Sequence, residues 1–166
     1  MFVTIHAAAA TIIGKKVISP PLAFLLGMVS HFILDFIPHG DQDLGQQFVG
    51  HRFGKFLQPI KKIRAMYLYS TIDAFLLLIF VLFLFQNIEF QNANSVIWAI
   101  LGGVLPDVVM TLYFTRKFKG LGWFNKLHTK NHAFIVKYIK RDWPLKTGIA
   151  MQVLLFGLLY LGIIFL

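Results

Sequence analysis

Apolar residues fall in long blocks along this chain rather than in alternation with polar ones. Four blocks have about 20 mostly apolar residues, the length that carries a helix across hydrocarbon. They are Val17–Ile37, Met66–Gln86, Asn94–Phe114 and Lys146–Leu166, the last apart from its opening lysine. A shorter stretch, Phe2–Ile13, is too short to cross comfortably. It predicts a short tilted helix, or a re-entrant one packed against protein. Pro20 and Pro21 suit the first turn of the second block, where a missing N–H costs little. In GWFNKLHTKNHAFIVKYIKRDW, Trp123, Phe124, Leu127, Phe134, Ile135 and Tyr138 alternate with lysines at helical spacing, as in a helix lying on a membrane surface. The pattern predicts an all-α, polytopic integral membrane helical bundle. It would have about four full spans, a short N-terminal helix and a cytoplasmic interfacial helix, in a single domain over residues 1–166.

Composition supports a membrane reading. Of 166 residues, 57% are hydrophobic and only 14% charged, against about 45–50% and about 25% in soluble domains. The N-terminus lacks the basic residues that open a secretory signal, so it is read as a retained part of the fold. With no cysteine, disulfides, thiolate metal sites and cysteine nucleophiles are excluded.

The net charge of +9 raises nucleic acid as a partner, but the basic residues flank apolar blocks and no recognition motif occurs. They read better as topology signals and contacts for anionic lipid. Arg52, Lys55, Lys61, Lys62 and Arg64 lie in the connection 38–65, and nine more lie between Arg116 and Lys146. Only Lys15 and Lys16 lie on the opposite side. The positive-inside rule then makes the long connections cytoplasmic, in an inner membrane, with the C-terminus outside. Oligomeric state is not encoded in this pattern.

The candidate chemistry gathers at the same side. His31, Asp35 and His39 follow one another at i, i+4 and i+8 inside SHFILDFIPHGD, and His128 and His132 are i, i+4. Asp73 and Asp107 fall about 10 Å deep in their blocks at 1.5 Å per residue. His6 sits near the start of the first helix. Carboxylates inside a membrane are functional candidates by default. A His/Asp donor set without cysteine suits Zn²⁺ first, then Mn²⁺ or Fe²⁺, as one ion or two. Asp35 or Asp107 could serve as general base instead of ligand. Asp73 and Asp41 are candidates to support the ligands from behind, although Ser70 or Tyr69 could partner Asp73 and solvation explains Asp41. Asp43 and His51 also read as solvated loop residues. A weak internal echo aligns AFLLGMVSH (23–31) with AILGGVLPD (99–107), setting His31 against Asp107; a chance match of small-residue helices explains it best.

Four stretches, HAAAATIIG from His6, GMVSHFILDFIPHGD, GGVLPDVV and LHTKNHAF, resemble those of the small predicted membrane-bound metal-dependent hydrolases. They are spread over residues 4 to 134. The family start has Thr three residues before its His, whereas Thr4 precedes His6 by two. The resemblance implies that His6, His31, Asp35, His39, Asp107, His128 and His132 form the metal and catalytic set. The same family is likened to zinc-dependent phospholipase C. The expected function is a metal-dependent hydrolase at the cytoplasmic face, acting on a phospholipid or another phosphoester, with Lys126, Lys130 and Arg141 holding an anionic headgroup. The main alternative, a metal-ion or proton transporter, needs polar groups continuing through the membrane, and the far halves of the blocks are almost purely apolar. A non-catalytic scaffold with a structural ion site is the third reading. No HExxH occurs, which argues against a metalloprotease.

Overall fold

The computed structural model describes residues 1–40, 60–116, 118–139 and 143–166. Among these residues it is all helical, without strands. The helices are α1 (Val3–Lys16), α2 (Pro20–Leu34), α3 (Ile60–Asn87), α4 (Ala93–Arg116), α5 (Gly122–Ile139) and α6 (Leu145–Phe165). A single 3₁₀ turn, Lys119–Leu121, leads into α5.

Among the described residues, three helices are long and apolar enough to cross a membrane, at Tyr67–Asn87, Ala93–Tyr113 and Leu145–Phe165. These match three of the expected spans to within a residue at each end. Their outer surfaces are oily: Phe75, Leu78, Leu154 and Leu158 are all exposed. A soluble surface does not carry apolar patches of that extent.

The fourth expected span, Val17–Ile37, is corrected. Residues 17–19 form a turn, and the helix runs only from Pro20 to Leu34, with Asp35 as its C-cap. Fifteen residues rise about 22 Å, short of the roughly 30 Å of hydrocarbon. Instead, α1 and α2 form a helical hairpin. Its turn lies where α4 begins and α6 ends, since Ser95 Oγ donates to the Ile18 carbonyl and Lys15 Nζ to the Ile163 carbonyl. Its open end therefore stops inside the bundle.

The hairpin is the centre of the fold. Ala7 and Ala8 of α1 are fully buried with Leu84 of α3, Val96 of α4 and Ile163 of α6. Small residues make this possible, because with alanine on one side two helix backbones can approach closely. Against α4, helix α2 runs side by side in the same direction. Ala23 shares a buried cluster with Ala99, and Gly27 lies beside Gly103. His31 reaches Asp107. These are the pairs the internal echo set against each other, so the repeated small residues are the contact surface between α2 and α4.

The start of α1 has no side-chain cap of its own. Asp73 of α3 supplies one. Its carboxylate accepts the Val3 N–H at 2.6 Å, the Thr4 N–H at 3.2 Å and the Thr4 hydroxyl at 2.7 Å. Buried first-turn N–H groups need such a partner. Of the two readings open for Asp73, support for the ligands or a bond within its own helix to Ser70 or Tyr69, the second gives way to these bonds, by which Asp73 holds α1. From the other side, Gln152 of α6 accepts the Phe2 N–H at 2.7 Å and donates to the His39 carbonyl at 3.1 Å. Asp73→Ala is expected to destabilise the protein by about 2 kcal/mol, the cost of a lost cap plus buried donors left bare. Thermal unfolding in detergent would check this, and an unchanged midpoint would deny Asp73 the capping role.

Candidate metal centre

The open end of the hairpin carries the polar cluster. His6 projects from the second turn of α1, and His31 and Asp35 come from the end of α2. His39 follows on a short turn that ends at Gly40, whose positive φ of 77° favours glycine. That turn packs on Gly148 of α6, where any side chain would collide with the His39 carbonyl. Asp107 follows Pro106 within α4. His128 and His132 lie one turn apart on α5. Asp107 lies six residues from the Tyr113 end of its span, about 9 Å deep.

Asp35 is the hub. It is 2% exposed, and imidazole nitrogens surround it: His132 at 2.9 Å, His31 at 3.0 Å, His6 at 3.2 Å and His128 at 3.5 Å. Half-buried Asp107 lies 3.5 Å from His128 and 3.8 Å from His31. The α-amino group of Met1 lies 2.7 Å from His39 Nε2 and 3.6 Å from Asp35. All seven residues singled out in the sequence therefore meet in one place.

Two histidines are oriented from behind. His31 donates Nδ1–H to the Gly103 carbonyl at 2.8 Å, and His39 donates Nδ1–H to the Ile37 carbonyl at 2.6 Å. Each bond fixes the tautomer and turns Nε2 into the cluster, where that of His39 accepts from the Met1 α-amino group; an imidazole held from behind in this way is prepared to bind a metal. Pro106 removes one rung from the α4 ladder beside that Gly103 carbonyl.

Residue identity and satisfaction both fit a cation. Both ring nitrogens of His6 and both oxygens of Asp35 are buried without a hydrogen-bond partner. Buried polar atoms in that state cost about 1–3 kcal/mol each unless something binds them. His31 Nε2 and His128 Nε2 lie 3.2 Å apart, within hydrogen-bond distance. Burial lowers the His128 pKa despite the nearby Asp107, which favours the neutral, ligating form. Among the described residues, three His/Asp groups have donor atoms close enough to hold an ion: His6/His31/Asp107, His31/Asp35/His128 and Asp35/His39/His132. The buried cluster could hold a metal ion; its identity is not fixed by these residues.

Helix α5 closes the cluster. Asn131 Nδ2 donates to the Phe32 carbonyl at 2.8 Å, and Phe124 and His128 pack around the Phe32 ring. Its opposite face exposes Trp123, Leu127 and Phe134. Lys126 and Lys130 are also exposed, about 160° around the helix from the histidines that follow them by two positions. They face away from the cluster. Arg141 and Asp41, as well as Asp43 and His51, lie outside the described residues.

Sequence reasoning passed over Gln152. An amide inside an otherwise apolar span was the available signal, since uncharged polar groups there also need partners. No family model matches this chain, and neither does any curated protein or solved structure.

Proposed function

We propose that the chain is a membrane-embedded, metal-dependent hydrolase whose centre is the Asp35 cluster and whose substrate is a phosphoester, with membrane phospholipid as the leading class. The observation that carries this reading is the buried pair His6 and Asp35, in ion-pair contact but with side-chain atoms that make no hydrogen bond, among histidines already oriented by backbone carbonyls. His6, His31, His39, His128, His132, Asp35 and Asp107 would hold the metal. A bound divalent cation supplies Lewis acidity, which acidifies water and stabilises charge on a phosphoryl oxygen.

The chain's own residues do the rest. Gly103 and Ile37 fix the imidazole rings through their carbonyls. Asp107 is partly exposed while Asp35 is enclosed, so Asp107 is the better placed to receive a proton from an attacking water. The apolar face of α5, with Lys130 beside it, suits the headgroup region of an anionic leaflet. We assign that leaflet to the cytoplasm of an inner membrane, because fourteen of the sixteen Lys and Arg residues belong to the two long connections on that side. The C-terminal end of α6 then faces outside. Confinement of the cluster to one end of the bundle favours the hydrolase over a transporter.

The test is hydrolysis of a panel of phospholipids and soluble phosphoesters by purified protein in detergent. Activity should fall at least about 100-fold on chelation and return with Zn²⁺ or Mn²⁺. A metal-loaded, folded protein that turns over no phosphoester would refute the hydrolase reading.

A further inference from the structure

Seven donor residues exceed what one ion uses. A tetrahedral Zn²⁺ takes about four ligands. A single ion would leave three of these mostly buried donors with only one another and the Met1 α-amino group as partners. The donor groups divide differently: His6/His31/Asp107 and Asp35/His39/His132 share no residue. The first joins α1, α2 and α4. The second joins the end of α2, the turn after it and α5.

Asp35 lies between the two groups. Its Oδ1 is 3.2 Å from His6 Nε2 of the first, and its Oδ2 stands between His31 Nε2 of the first at 3.0 Å and His132 Nε2 of the second at 2.9 Å. Neither oxygen has a hydrogen-bond partner. His128 stands across the boundary, 3.5 Å from Asp35 Oδ2, 3.5 Å from Asp107 Oδ1 and 3.2 Å from His31 Nε2.

We infer that this is a two-metal centre, with one cation held by His6, His31 and Asp107, a second held by Asp35, His39 and His132, and the Asp35 carboxylate bridging them. The inference rests on the metal-centre reading and deepens it by fixing the number of ions and the bridging residue. Both carboxylate oxygens of Asp35 are then used, and His128 completes one ion's set. Paired cations joined in this way suit phosphoester chemistry, where charge develops on both the attacking and the leaving oxygen.

The two pockets should empty separately. Full-length protein in detergent is stripped with chelator, titrated with Mn²⁺ or Zn²⁺, and analysed for bound metal by native mass spectrometry. Wild type should take up two ions per chain, and His6→Ala and His39→Ala about one each. With Mn²⁺, the wild-type electron paramagnetic resonance spectrum should show exchange coupling through the bridge, and His39→Ala should show an isolated ion. Wild-type saturation at one ion, or two ions without coupling, would overturn the bridged pair while leaving a metal centre in place. Wild-type protein that binds no ion would overturn both. Because the wild-type stoichiometry decides by itself, a variant that fails to fold does not blunt the test.

Discussion

Asp35→Asn should lower Zn²⁺ affinity at least about 100-fold, the upper end of what loss of a mere supporting partner costs, and hydrolysis should fall with it. The substitution keeps the shape of the side chain, so packing at the end of α2 survives. What disappears is the one carboxylate that four histidine side chains approach within 3.5 Å. An amide offers one weak oxygen where two anionic ones stood, and its NH₂ would point at a nitrogen or at the cation. Isothermal titration with Zn²⁺, beside a thermal-unfolding control, reads the effect directly. A folded Asp35→Asn protein with wild-type metal affinity would reduce Asp35 to a partner in an ordinary buried ion-pair network.

Gly102→Leu should have the largest effect on folding. A side chain at 102 points into the backbone of α2 at Phe24, inside van der Waals contact, and backbone cannot swing aside as a flexible side chain can. Helix α2 would have to move off α4, at a cost of about 3 kcal/mol or more. The damage should reach the metal centre, because the same interface sets His31 against Asp107 and the Gly103 carbonyl. Gly157→Leu is the matched control. Nothing lies within 4 Å of a side chain there, so stability should stay within about 0.5 kcal/mol or rise slightly through helix propensity. Unfolding midpoints and metal affinity of both variants decide the matter. Equal tolerance at 102 and 157 would contradict the close packing of α2 on α4.

The contrast between α2 and the three long helices shows what a hydropathy pattern conveys. For α3, α4 and α6, an apolar run and a continuous helix coincide, and each exposes large apolar side chains along its span. Val17–Ile37 is just as apolar, yet its first residues turn and its last ones unwind after Leu34. Hydropathy counts residues and does not see where a backbone bends. The reason α2 stops short lies in its neighbours: Gly27 and Ala23 seat it on α4, and the cluster at its end binds it to α5.

The site was legible for a related reason. His31 with Asp35, and His128 with His132, share helix faces by spacing alone, and the depth of Asp107 follows from its place in α4. His39 needed the turn at Gly40 and the gap at Gly148 to reach the others, which no spacing rule contains. Asp73 stood out for its depth but its partners were beyond reach of the sequence, because Val3 and Thr4 lie about 70 residues away and meet it only through the central position of α1. Gln152 acts in the same way from α6, as a clamp between Phe2 and His39.

The most direct test of the central claim is the metal content of the wild-type protein, purified without chelator and measured by elemental analysis against protein concentration. About two equivalents of Zn, Mn or Fe per chain are expected. Folded protein that carries no transition metal and takes none up from solution would contradict it, leaving Asp35 and its histidines as a hydrogen-bonded cluster that holds α5 to the bundle.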